Sequence, residues 1–141
     1  MSTYFANPAE LEALLRPQLP GLADSGISIL HAGDGEARVR QAASDQQLRP
    51  GGTLSGPTMM ALADTAMYAA ILGTVGPELL AVTTDMNMHF LRRPAMQDLE
   101  AHARIIKLGQ RLIVCTVEIS SGEDLVAHAT GSYVRPPAGK Q

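Results

Sequence analysis

One stretch limits the folds open to this chain more than any other. From Pro50 to Pro77 the only acid or base, apart from the phenol of Tyr68, is Asp64. Within it, LSGPTMMALADTAMYAAILGTVG is rich in Ala, Met and Leu and apolar on every side, the mark of a helix buried all round. Ser55 or Gly56 can cap this helix, Pro57 suits its first position, and Gly73 or Gly76 can end it. A membrane span is a poor reading of the same residues. Thr, Asp and Ser interrupt it, strand patterns follow directly, and no second hydrophobic segment exists. A soluble chain that makes such a helix must wrap something around it.

The flanking sequence supplies the wrapping. Val82, Thr84, Met86, Met88 and Phe90 alternate with Thr83, Asp85, Asn87 and His89, a period of two that predicts a strand over 82–90. Pro94 closes it. Strands over 99–108 and 112–120 follow, divided by Gly109-Gln110-Arg111, and one over 125–134 comes after the turn Ser121-Gly122-Glu123-Asp124. Upstream, 27–32 and 36–41 form a hairpin through Gly33-Asp34-Gly35. A short helix precedes them over 7–19, with Asn7 as cap, Pro8 and Glu10 in its first turn, and Leu11, Leu14, Leu15 and Leu19 as its stripe. Residues 42–52 read as polar and irregular. Short loops make neighbouring strands antiparallel. The expected class is α+β: an antiparallel sheet of about six strands wrapped around a long central helix, the hotdog fold. The domain should span 25–135, after an N-terminal helix and linker (1–24) and before a disordered tail (136–141).

Composition narrows the function classes. A chain of 141 residues makes one domain. Its charged share of 18% is low against a usual value of about 25%, which suggests that another copy covers part of the surface. A net charge of −3, three Tyr, two Phe and no Trp give no footprint for nucleic acid. One cysteine excludes an intramolecular disulfide framework and a multi-cysteine metal site. The N-terminus has no basic segment followed by an apolar run, so the expected location is the cytoplasm.

Asp64 is the first candidate for chemistry, because an unpaired carboxylate within an apolar helix costs several kcal/mol. Its helical neighbours Met60, Ala61, Met67 and Tyr68 offer no charge to balance it. A structural role, paired with an arginine or turned toward a polar loop, stands at even odds with a functional one on composition alone. His31, His89, His102 and His128 are scattered without metal-ligand spacing. Cys115 lies mid-strand between apolar neighbours and reads as a packed thiol. No phosphate loop, dinucleotide fingerprint or nucleophile elbow is present.

Four segments in order, GGTLSGPTMMALADTAMYAA, AVTTDMNMHFLRRP, ARIIKLGQRLIVCTVEI and LVAHATGSYV, resemble the hotdog acyl-CoA thioesterases of the phenylacetic acid degradation type. The resemblance covers about residues 25–135. It implies hydrolysis of an acyl-CoA thioester by a homodimer or homotetramer, with no metal, cofactor, nucleic acid or membrane involved. It places Asp64 on the family's catalytic carboxylate, a nucleophile or a general base on water. Gly56 falls on the glycine whose N–H polarises the thioester carbonyl, and Thr83 on a hydroxyl position reaching the site from the partner subunit. On this reading, one protomer supplies Gly56 and Asp64, and its partner supplies Thr83. Arg92 and Arg111 fall near strand ends where CoA phosphates could be met.

Pro57 replaces the second glycine of the family pattern without removing the proposed donor, and two further departures matter more. Ser55 stands where its members usually carry His, and Arg49 where they usually carry Asn. Serine keeps one donor but has less reach. Arginine adds a permanent charge and five donors, able to pair with a carboxylate, either Asp64 or one on the acyl group. These departures favour an alternative in which the protein binds acyl-CoA without turning it over.

Overall fold

The computed structural model describes residues 1–44 and 47–137. The chain opens with helix α1 (Pro8–Gln18), where the Asn7 side chain accepts from Glu10 N at 3.1 Å, and Leu11 and Leu15 are fully buried. Strands β1 (Ile27–Gly33) and β2 (Glu36–Gln41) form the expected hairpin, with a bulge between Ile29 and His31. A small ribbon of β3 (Leu48–Arg49) and β4 (Thr53–Leu54) leads into helix α2 (Gly56–Val75). Strands β5 (Val82–Phe90), β6 (Leu99–Leu108), β7 (Leu112–Ser121) and β8 (Asp124–Val134) complete the chain.

Six strands make one sheet in the order β1-β2-β6-β7-β8-β5, each paired antiparallel to its neighbour. The sheet curves around α2, which packs on β1, β2, β6 and β7. Leu62, Met67, Ile71 and Leu72 of the helix are buried together with Val39, Val117 and Ile119 of the sheet. Alanines at 37, 101, 103, 127 and 129 are buried as well, and small side chains there let helix and sheet approach closely. The α+β hotdog architecture expected from the sequence is the one observed.

Three local features differ from expectation. The ribbon of β3 and β4 lies where the sequence reads as irregular. Gly51 and Gly52, at φ 98° and 75°, make the tight reversal that a two-residue pairing requires. Helix α2 is not enclosed all round: Pro57, Met60 and Ala61 are exposed, and Asp64, Thr65 and Tyr68 are half-buried. These residues form one stripe at helical spacing, turned away from the sheet. Strand β5, at the sheet edge, is exposed along most of its length, with only Met86 and Met88 half-buried. Met86 and Met88, two residues apart on one face, pack against the core, while the rest of that alternation is left open in the single protomer. Of the expected C-terminal tail, residues 138–141 lie outside the described residues.

Gly73 shows how close the helix lies to the sheet. A Cβ added there would sit 2.6 Å from the carbonyl carbon of Ala32 and 2.7 Å from its Cβ. In an exposed helix, Gly→Ala stabilises by about 1 kcal/mol. Here overpacking against backbone reverses the sign. Gly73→Ala should lower stability by about 1–3 kcal/mol, read as a reduced urea midpoint at unchanged slope.

Candidate active site

Asp64 sits at the border between the buried part of α2 and its open stripe. Its carboxylate has found two hydroxyl donors on neighbouring strands. Thr83 Oγ1, near the start of β5, donates to Asp64 Oδ1 at 2.7 Å. Tyr133 Oη, near the end of β8, donates to the same oxygen at 2.7 Å, with the Asp64 carbonyl oxygen at 3.1 Å as the longer alternative. The two donors are adjacent because Thr83 and Tyr133 are cross-strand partners in the β5–β8 pairing. Asp64 Oδ2 has no hydrogen-bond partner among the described residues. One oxygen is thus held and the other is free to react.

Tyr133 is a fixed donor. It is 3% exposed, and burial together with the nearby Asp64 charge pushes its phenol well above the ordinary tyrosine range. It therefore keeps its proton at any working pH. Its ring stacks on Tyr68 at 5.9 Å between centroids, and Tyr68 is itself fixed by donating to the Leu79 carbonyl at 2.8 Å. Close by, Arg135 Nε pairs with Glu78 Oε1 at 2.8 Å, tying the end of β8 to the segment after α2. Asp64, Thr83, Tyr133 and Tyr68 line a cleft of about 350 Å³ with Leu79 and Val82.

Gly56 lies elsewhere. Ser55 caps α2, its Oγ accepting from Thr58 N at 3.3 Å and sharing a 2.8 Å hydrogen bond with Thr58 Oγ1. Gly56 is the first helical residue, and its N–H has no acceptor among the described residues. It opens on a second cleft, of about 460 Å³, lined by Arg49, Phe90, Leu91, Arg92 and Arg93 among others. Gly56 and Asp64 are eight residues apart on one helix, about 12 Å along its axis at 1.5 Å per residue. An oxyanion donor must lie about 3 Å from the oxygen it stabilises. One protomer therefore does not bring Gly56 and Asp64 onto the same carbonyl.

Within one protomer the expected site residues group differently from the expected division. Thr83 meets Asp64 of its own chain, so those two travel together and Gly56 stands apart. Arg49 and Arg92 share the Gly56 cleft, although Arg92 Nη1 is 3.1 Å from Asp124. Arg111 lines neither cleft. Its Nε donates to the Arg135 carbonyl at 2.9 Å, holding the β6–β7 turn to the end of β8. The Ser55 hydroxyl is engaged in capping. Cys115 is fully buried, and burial pushes its thiol up to about 12.

Tyr133 is the residue that the sequence reading missed. A signal was present: the inward phase of β8 runs through Ala127, Ala129 and Gly131 to Tyr133, and a buried phenol there needs an acceptor. Tyr133→Phe should lower turnover about tenfold, the low end of what a hydrogen bond to a charged group supplies, while the urea midpoint shifts little. Cys115 should not react with an aromatic disulfide at pH 8 in the folded protein, and should react fully in denaturant. Rapid labelling of the native protein would contradict its placement.

Comparison with known proteins identifies the family. The thioesterase superfamily model matches residues 51–128. A candidate thioesterase from Silicibacter sp. TM1040 has a structure 39% identical to this chain, covering 97% of it and 96% of its own length, with a TM-score of 0.87. A mutant of the phenylacetic acid degradation protein PaaI from Thermus thermophilus is 32% identical, covering 84% of this chain and all of its own, with a TM-score of 0.76. A candidate esterase of Pseudomonas aeruginosa is 36% identical over 87 residues, which is 61% of this chain and 65% of that protein's length.

Proposed function

Because this chain belongs to the thioesterase superfamily, we propose that it hydrolyses an acyl-CoA thioester to a free acid and CoA, with Asp64 as the reacting carboxylate. The observation that carries this reading is the Asp64 cluster: one carboxylate oxygen fixed by two hydroxyls that stay protonated, the other open to a cleft. Oδ2 either takes a proton from water as that water attacks the thioester carbon, or attacks the carbon itself to give an anhydride that water opens. In both routes the C–S bond breaks and the sulfur leaves and is protonated. In the first the acyl carbon bonds to the oxygen of water, and in the second it bonds to Oδ2 until water cleaves the anhydride to the free acid and the Asp64 carboxylate. Both also place negative charge on the carbonyl oxygen, where an unpaired N–H at a helix start is most useful.

The site needs two copies on this reading. Gly56 and Asp64 are equidistant in sequence from Met60, which is 42% exposed on the open stripe of α2. Two α2 helices packed antiparallel about a twofold axis near Met60 bring Gly56 of one protomer to Asp64 of the other. The exposed edge of β5 and the exposed Val82 and Leu80 favour such a pairing, since an unpaired edge with apolar flanks is a liability in a monomer. Each site then takes Asp64, Thr83 and Tyr133 from one copy and Gly56 from its partner, and two dimers can combine into a tetramer.

Asp64→Asn should keep the fold and cut CoA release at least a hundredfold across a panel of aliphatic and aryl-acetyl thioesters, assayed with a thiol reagent. A loss below tenfold would remove Asp64 from the mechanism. Saturable acyl-CoA binding by the wild type without any CoA release would establish the non-catalytic alternative, which the engaged Ser55 hydroxyl favours. Sedimentation should show a dimer or tetramer at micromolar concentration; a stable monomer would refute the shared site.

A further inference from the structure

The cleft at the start of α2 is built for more than a carbonyl oxygen. Its base is apolar, with Leu54 and Met59 almost fully buried, and Phe90 packs beside Gly56, its ring 3.4 Å from where a Cβ on that glycine would lie. Its polar lining is cationic: Arg49, Arg92 and Arg93 are present, and no acidic residue is among the described residues that line it. Arg92 is engaged by Asp124, whereas Arg49 and Arg93 have no carboxylate or hydrogen-bond acceptor among the described residues. Arg49 is held beside the helix start by local structure. It pairs with Thr53 across the ribbon, the Gly51-Gly52 reversal follows it, and Ser55 N donates to the Gln47 carbonyl at 2.8 Å. Leu54 N donates to the Pro94 carbonyl at 3.3 Å, bringing the Arg92–Arg93 segment against the same ribbon.

Two guanidinium groups with no acidic partner among the described residues, set around an apolar cleft, fit a ligand with a short apolar stem and an oxyanion at its end. Carboxylate and phosphate share that chemistry, and an acyl-CoA offers both: one when the acyl group is a diacid, the other on CoA. We propose that Arg49 and Arg93 bind the free carboxylate of the acyl group, so that the preferred substrates are CoA monothioesters of short dicarboxylic acids. This rests on the thioesterase reading above, with the thioester carbonyl at Gly56. From that point the pantetheine arm carries the CoA phosphates a full extended chain away from the carbonyl. The free carboxylate of a short diacid instead stays three or four carbons from it, beside the arginines that line the same cleft as Gly56. Arginine suits this end group because its planar fork meets a carboxylate through two parallel hydrogen bonds.

The test compares glutaryl and pentanoyl thioesters, similar in length and differing in one carboxylate, each as the CoA ester and as the phosphate-free pantetheine ester. The wild type should prefer glutaryl about ten- to a hundredfold in kcat/KM on both carriers, the range expected for charge-assisted hydrogen bonds. Arg49→Gln and Arg93→Gln should each reduce that ratio, on CoA and pantetheine alike. Arg49→Lys should restore it only in part, since a point charge lacks the fork. A ratio near one in the wild type overturns the proposal. So does a variant that weakens both CoA esters equally and spares both pantetheine esters, because the arginines would then bind phosphate. Calorimetric binding of the two CoA esters to Asp64→Asn separates this proposal from the catalytic one. A glutaryl preference there supports the carboxylate subsite even if the wild type hydrolyses nothing, and its absence beside normal turnover refutes the subsite alone.

Discussion

The enclosure of α2 governs the rest of the molecule. Each large apolar side chain it buries contributes about 1.5–3 kcal/mol, and Leu62, Met67, Ile71 and Leu72 are all fully buried. A curved sheet with alanines on its inner face can follow the helix closely, as the contact between Gly73 and Ala32 shows. One sheet covers only part of a cylinder, however. The remaining stripe, through Pro57, Met60, Ala61, Asp64 and Thr65, is left to solvent or to another protein surface.

That uncovered stripe also carries the one acid of the helix. Asp64 belongs to the boundary, where two hydroxyls from the last strand and the edge strand reach it while one oxygen stays open. Neutral donors are well suited to this task. They orient the carboxylate without an opposing charge that would have to be desolvated with it. The buried phenol of Tyr133 keeps its proton, so the arrangement holds over a wide pH range. Gly56 lies too far along the same helix to serve the same carbonyl, and the proposed pairing of two copies across the open stripe answers that separation.

The start of α2 shows how local turn chemistry sets the environment of a cleft. Ser55 closes the helix end, the Gly51-Gly52 reversal folds the ribbon back, and Arg49 is carried to the edge of the cleft. At the position where the resemblance implies an Asn, this chain presents a cation. Among the described residues Arg49 has no acidic partner, and it stands beside the apolar base of the cleft formed by Leu54 and Met59.

Much of this was legible in the sequence. The apolar stretch around Asp64, the period-two segments and the turn residues between them specified a helix wrapped by an antiparallel sheet, because local periodicity and capping are set by neighbours in the chain. The lone acid in that stretch and the cap at Ser55 were visible for the same reason. Residue spacing alone did not reveal that Thr83 and Tyr133 converge on Asp64, since they are fifty residues apart and meet only through the β5–β8 register. Nor did it show that Thr83 serves the carboxylate of its own chain, or that Gly56 and Asp64 open on different clefts. Those facts depend on how far the sheet wraps the helix and where its edge strand falls. They are properties of long-range packing, which no local pattern encodes.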